Sequence, residues 1–297
     1  MRILERTEEL RAACDAARAA GHRIGLVPTM GFFHEGHRSL MRAARDETDL
    51  VVVTLFVNPL QFGAGEDLDA YPRDLDGDAA AAALEDVDVL FTPAVHEIYR
   101  PGARTTVHVD GLTEGLCGAA RPEHFDGVTT IVAKLFSVVG ACRAYFGRKD
   151  AQQLAVVTRM AADLDLPVEV VGRPLVREPD GLAMSSRNAY LSPDDREVAT
   201  VLYRSLCAAA ASIESGEHDA ERIRAAIVAM VDEEPRVALE YAEVRTSDEL
   251  ERVDEITGEV LVAVAASIGG TRLIDNMTVQ VSTEVTTDLG VIVERRP

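Results

Sequence analysis

Five short apolar runs are separated by segments whose hydrophobic residues recur at helical spacing, and this alternation limits the fold more than any other feature of the chain. The runs are 24–27, 50–57, 87–91, 142–146 and 168–171; helical patterns cover 36–47, 74–85, 127–139 and 150–164. In the clearest pattern, Val128, Ile131, Val132, Leu135, Phe136 and Val139 fall on one face of a helix. Strands joined through helices run parallel, because the crossover returns the chain to the same end of the sheet. The pattern predicts an α/β domain, a doubly wound parallel sheet with helices on both faces. Ligands of such sheets bind beyond the carboxyl ends of the strands. Chemistry is therefore expected after the first, second and fourth runs.

The pattern changes at Arg173-Pro174. A polar segment over 178–191 leads to Ser192-Pro-Asp-Asp-Arg, a helix start with a hydroxyl cap, an early proline and acids in the first turn. A long helix from there, a second over 219–233, an alternating strand over 239–244 and apolar strands over 259–265 and 271–279 make a smaller α+β unit. The expected division is 1–175 and 176–297. Nothing assigns a role to the tail 280–297.

The segment after the first run reads Pro28-Thr-Met-Gly-Phe-Phe-His-Glu-Gly-His37 and enters a helical pattern at Leu40, Met41 and Ala44. A strand feeding a glycine turn and then a helix presents unpaired N–H groups and the positive end of the helix dipole, a setting for phosphate. Gly31 and Gly36 let backbone approach a ligand closely. His34 and His37 stand three apart, so both rings can face one anion. Two other readings share the pattern: half of a zinc site, or a turn whose glycines set only its shape. Cys14, Cys117, Cys142 and Cys207 are scattered, with no Cys-x-x-Cys pair to complete a zinc site.

The formal charge is −20, so an anionic ligand needs a local set of cations, and a nucleic-acid-binding face is not expected. Of 30 basic residues only Lys134 and Lys149 are lysine. Lysine is a compact charge suited to one phosphate oxygen, whereas arginine is a planar fork. Lys134 lies within the 127–139 helix and can extend along it to water. Lys149, in Gly147-Arg-Lys-Asp150 at a strand end, is the candidate phosphate ligand. Asn58 and Gln61, in Phe56-Val-Asn-Pro-Leu-Gln-Phe62, bring neutral amides to the same edge, as do Gln152 and Gln153. Gly181-Leu-Ala-Met-Ser-Ser-Arg-Asn188 sets paired hydroxyls beside a cation, donors that suit pyrophosphate; its plainer reading is a serine-rich linker. Arg121 adds a cation before the 127–139 helix. No apolar run is long enough for a membrane span, no signal-peptide core is seen, and the cysteine usage suits a reducing cytoplasm.

Taken in order, these segments resemble the pantothenate synthetases (pantoate–β-alanine ligases), a family of the nucleotidylyltransferase superfamily. The match runs through Pro28–His37, Phe56–Phe62, Tyr71-Pro-Arg73, Arg121-Pro-Glu-His-Phe-Asp-Gly-Val128 and Lys134-Leu-Phe136. It continues through Phe146-Gly-Arg-Lys-Asp-Ala-Gln-Gln-Leu154, Val176 to Ser192 and Arg272-Leu-Ile-Asp-Asn-Met277. The resemblance implies a Rossmann-like nucleotide- and pantoate-binding domain followed by a smaller lid domain. It implies ATP-dependent condensation of (R)-pantoate with β-alanine to pantothenate, AMP and pyrophosphate through a pantoyl adenylate. It further implies Mg²⁺ on the phosphates and a cytoplasmic homodimer whose other partners are small molecules.

Carried onto this chain, the family pattern assigns ATP contacts to Met30, Gly31, His34, His37, Gly147, Arg148, Lys149, Asp150, Val176, Met184, Ser185, Ser186 and Arg187. Gln61, Gln153, Asn58 and Arg121 fall to pantoate, and Gln61 also to β-alanine. His37, His34, Lys149 and Arg187 are the implied catalytic groups, with His37 as acid/base, a role imidazole suits near neutral pH. Asp78 matches a region near the metal. Arg148 departs from the family's Glu or Gln. A nucleotidylyltransferase and a non-catalytic ATP sensor are the alternatives, and amine-dependent AMP release separates them from a ligase.

Overall fold

The computed structural model describes residues 1–294, and the chain divides into two compact units: Met1–Arg148 with Gln152–Arg173, and Lys149–Ala151 with Pro174 onward. The first unit holds six parallel strands: β1 (Arg2–Leu4), β2 (Ile24–Thr29), β3 (Leu50–Leu55), β4 (Val89–Phe91), β5 (Cys142–Gly147) and β6 (Val168–Arg173). Their order across the sheet is β1-β4-β3-β2-β5-β6. The doubly wound parallel sheet expected from the alternation is therefore present. β1 is an addition: three residues before the first helix, too few to show a period, pair with β4 at the sheet edge.

The helices of this unit are α1 (Thr7–Ala19), α2 (Glu35–Glu47), α3 (Leu75–Leu84), the short turns α4 (Val95–Ile98) and α5 (Leu116–Ala120), then α6 (His124–Val139) and α7 (Ala151–Asp163). Alternate residues of the central strands serve opposite faces. Val27, Val51 and Val53 pack with Leu40, Met41 and Ala44 of α2 in one core cluster. Met41 is wholly buried there, a contribution of about 2 kcal/mol. α2 can lie close because β2 carries Gly25, where a Cβ would stand 2.5 Å from Thr48 Oγ1. α1 and α6 pack against each other, and α1 touches β2.

β2 lies between β3, toward which the chain winds first, and β5, where the winding reverses. β2 pairs with β3 through Thr29↔Leu55. With β5 it pairs only at Gly25↔Arg143 and Leu26↔Ala144. Beyond Leu26 the two strands part, while β5 continues beside β6 as far as Gly147↔Arg173. The carboxyl end of the switch point is thus open, and the Pro28–His37 segment leaves β2 there.

In the second unit, β7 (Val176–Arg177) precedes α8 (Pro193–Ala199), α9 (Val201–Glu214) and α10 (Ala220–Asp232), and then come β8 (Val237–Thr246), β9 (Gly258–Ile268), β10 (Thr271–Val281), β11 (Val285–Asp288) and β12 (Val291–Ile292). An antiparallel sheet β11-β10-β9-β8 shares one core with α9 and α10. The single long helix expected after Ser192 is broken at Thr200, whose hydroxyl bonds back to the Glu197 carbonyl at 2.7 Å. The tail also differs from expectation: β11 extends the sheet, and β12 pairs in parallel with β7.

Candidate active site

The turn after β2 is built around backbone conformations that cost energy elsewhere. Gly31 has φ +91° and Phe32, a residue with a Cβ, has φ +53°. One carboxylate holds both in place. Asp78, buried on α3, accepts from Phe32 N at 2.7 Å and from Phe33 N at 2.6 Å. A Cβ at Gly31 would approach Asp78 Oδ2 to 2.8 Å, so glycine is required on two counts. Burial raises the Asp78 carboxyl above its ordinary value, and the two N–H bonds pull against that.

His34 caps α2. Its Nδ1 accepts from Gly36 N at 3.1 Å, while His37 Nδ1 accepts from His34 N at 3.3 Å. The rings lie 4.1 Å apart between centroids. An imidazole nitrogen that accepts cannot carry hydrogen, so this network assigns the hydrogen of each neutral ring to Nε2. The helix start therefore supplies two fixed Nε2–H donors beside its own dipole. Among the described residues no group of three or more His, Cys, Asp or Glu is placed to hold a metal.

The neighbouring turn, after β3, brings Gln61 to the same place. Gln61 Nε2 lies 3.0 Å from Met30 Sδ, and its Oε1 accepts from Asn58 Nδ2 at 3.2 Å. Asn58 itself is 1% exposed. Its amide also donates to the Gly127 carbonyl at 3.0 Å and accepts from Tyr99 Oη at 2.8 Å. Asn58 thus orients Gln61 and ties the turn to α6, where a Cβ on Gly127 would strike the Leu60 carbonyl at 2.3 Å. Arg121 is likewise engaged. Its fork meets Glu66 at 2.7 and 2.5 Å and reaches the Gln61 carbonyl at 3.1 Å. In this structure both side chains also support Gln61, Asn58 through the Gln61 amide and Arg121 through the Gln61 backbone carbonyl. Of the paired glutamines, Gln152 is buried and spends its amide on Leu112, Gly115 and Cys117 backbone; Gln153 is half-buried.

The second unit holds the other candidates. Lys149 lies in the single turn Arg148–Asp150 that follows β5, with Nζ 3.6 Å from Asp150 Oδ1. Asn276 Nδ2 donates to the Lys149 carbonyl at 2.8 Å. In the Gly181–Asn188 segment, Met184 N bonds to Val176 O at 3.0 Å. Ser185 Oγ accepts from Arg187 N at 3.2 Å, and Ser186 is buried. The hydroxyl of Ser185 is thus a cap for the turn as well as a candidate donor.

What fixes this segment is an ion pair absent from the expected set. Arg177 is fully buried and meets Asp275 at 2.7 and 2.9 Å. The same guanidinium donates to the carbonyls of Gly181 (2.9 Å), Asn276 (3.3 Å) and Leu289. It stacks 4.4 Å above the Tyr203 ring, against which a Cβ on Gly181 would collide at 1.9 Å. Burial pushes the Asp275 carboxyl up, and the Arg177 fork opposes the shift. The sequence does carry a trace of this arrangement, since Asp275-Asn276 stands between apolar Leu273-Ile274 and Met277 in one strand.

A histidine-capped helix N-terminus at the switch point of a doubly wound sheet marks the first unit as that of a nucleotide-binding α/β enzyme. Comparison with known proteins narrows the class. A sequence model of the family described as Pantoate-beta-alanine ligase matches residues 2–278. Pantothenate synthetase from Heliobacterium modesticaldum is 54% identical over 281 residues, covering 95% of this chain and 100% of that protein. The enzyme of that name from Acetivibrio thermocellus is 52% identical, again over 95% and 100%. The crystal structure of pantothenate synthetase from Thermus thermophilus superposes with a TM-score of 0.88 at 46% identity, over 93% of this chain and 98% of that one. The pantoate-beta-alanine ligase from Francisella tularensis, complexed with beta-gamma ATP and beta-alanine, gives 0.76 at 31% identity, over 93% and 97%. The chain belongs to the pantoate-beta-alanine ligase family, and it is an ATP-dependent ligase of pantothenate biosynthesis.

Proposed function

We propose that the enzyme activates (R)-pantoate as an acyl adenylate at the β2–β5 switch point and then transfers the acyl group to β-alanine. The observation that carries this reading is the pair of imidazoles at the start of α2 whose Nδ1 atoms are held by backbone N–H groups. A carboxylate is already ionised at neutral pH, so its attack on the α-phosphate needs no strong base. The barrier is anion–anion repulsion and the charge growing on pyrophosphate. Oriented neutral donors and a few cations lower it. His34, His37 and the backbone from Met30 and Gly31 serve the phosphates, with Lys149 and the Ser185-Ser186-Arg187 clamp on the β,γ side. Gly147, Arg148, Asp150, Val176 and Met184 complete the nucleotide contacts, with Asp150 accepting from ribose hydroxyls.

Gln61, braced by Asn58 and Arg121, orients pantoate together with Gln153 and then receives β-alanine. In the second half the amine displaces AMP. The His37 tautomer supports a hydrogen bond from Nε2–H to the leaving phosphate and not proton abstraction at Nε2, because the accepting nitrogen is already spent on His34 N. The proton shed by the amine passes to the released phosphate or to water. Asp78, with both oxygens on backbone N–H groups, fits a shaping role better than a metal ligand. Mg²⁺ fits as an ion brought in on the ATP phosphates, where it would neutralise charge. We further assign the second unit as a lid whose clamp closes on ATP, the first unit as the homodimer face, and the cytoplasm as the compartment, to which four free cysteines are suited.

Labelled pyrophosphate exchange into ATP tests the adenylate. Exchange is expected with pantoate alone, and AMP release is expected to accelerate on adding β-alanine. Exchange that strictly requires β-alanine would overturn the two-step route.

A further inference from the structure

We infer that the segment Val285–Val293 is a positioning element for the ATP clamp, an inference that rests on the function proposed above. Nothing in the matched family pattern covers it, since that match stops at residue 278. The segment secures the clamp's support from two sides. On the backbone side, β12 lies parallel to β7 with Val291↔Val176 and Ile292↔Arg177 in register. Val291 N donates to Leu175 O at 2.7 Å and Val293 N to Arg177 O at 3.0 Å. The opposite edge of β7 carries the clamp, through Met184 N on Val176 O at 3.0 Å and the Arg177↔Ala183 bridge. β7 is therefore the middle of three extended segments, with the tail on one side and the start of the clamp on the other.

On the side-chain side, the Arg177 guanidinium donates from Nε to Leu289 O and from another nitrogen to Gly181 O. One buried, planar group thus sets the distance between the tail and the glycine at which the clamp turns. Gly290 makes the fit close: it has φ +85°, and a Cβ there would meet the Leu175 carbonyl at 2.3 Å. The exposed Val291 and Ile292 side chains bury little. Pairing of β12 contributes backbone geometry, not core.

The test compares Val291→Pro with Val291→Ala in the full chain. Proline removes the N–H bonded to Leu175 and breaks the pairing, whereas alanine keeps that N–H and trims only an exposed side chain. Val291→Pro is expected to raise KM for ATP about tenfold, the worth of one or two backbone hydrogen bonds, with KM for β-alanine unchanged. Val291→Ala is expected to match wild type. A chain ending at Ser282 should show the same selective rise or a larger one. A loss of active fraction at unchanged KM for ATP in Val291→Pro would mean that the segment is structural only, and would overturn the inference. So would wild-type kinetics in Val291→Pro. If the wild-type chain itself releases no AMP with pantoate and β-alanine, the ligase reading fails and this inference falls with it.

Discussion

The histidine turn of the first unit and the serine–arginine segment of the second are held in shape by opposite constructions. The turn is shaped largely by its own residues: two positive-φ positions and two imidazoles bonded to backbone within three positions, joined by one outside carboxylate, Asp78. The clamp holds little of its own geometry. Its frame is a buried ion pair joining Arg177 to Asp275, with Asn276 beside Asp275 and with Tyr203 and Leu289 drawn from two other segments. The lesson is that a turn can be specified largely by its own residues, whereas a segment with little geometry of its own is tied down through a remote hub.

That contrast breaks most readily at the hub. Arg177→Ala leaves Asp275 buried and unpaired and should cost about 3–5 kcal/mol of stability, read from denaturant midpoints. Arg177→Lys should recover only part, because an ammonium cannot copy the fork. Lys149→Ala comes next, with a loss of about 3 kcal/mol in kcat/KM, roughly a hundredfold, and poor rescue by Lys149→Arg. Wild-type turnover in the Arg variant would show that any cation suffices. Asp78→Asn tests the turn: an amide cannot accept well from two N–H groups through both of its heads. A cost of about 1–3 kcal/mol, shared between stability and KM for ATP, is expected. An unaffected Asp78→Asn would show that the turn holds its shape without the outside carboxylate.

The smallest effect concerns the support of Gln61. Hydrogen bonding from Arg121 holds the Glu66 carboxyl below its ordinary 4.5. The pair's contribution is complete above that value and is lost as pH falls through the lower folded value. Partly exposed pairs are worth little, about 1 kcal/mol or less. Glu66→Gln should therefore lower the urea midpoint slightly at pH 6, and the gap should close toward pH 3.

The same contrast explains what could be read from the sequence. The sheet was legible because each central strand is an apolar run bounded by helical spacing, and the turn because its ten residues are contiguous. Lys149 stood out through composition, as one of two lysines among 30 basic residues. Asp78 was placed near the site but for another reason, since nothing in an alanine-rich helix reveals that its carboxylate reaches Phe32 and Phe33. Arg177 and Asp275 lie almost a hundred positions apart, and no local pattern reports a pair that only the tertiary fold brings together. β1 and β12 were missed because two or three residues cannot display a period. Thr200 passed as helix because its backbone is helical, and the break is marked only by its hydroxyl and its N–H both turning to the Glu197 carbonyl.

The pairing of β12 with β7 also bears on the order in which the enzyme comes into being on the ribosome. The carboxylate that bonds the histidine turn has been synthesised once Asp78 emerges, early in the chain. The clamp is completed later, because β7 must wait for Asp275 and then for Leu289 and Val291 before its frame closes. In a nascent chain the Gly181–Asn188 segment would thus reach its final frame only once the tail that pairs with β7 has emerged.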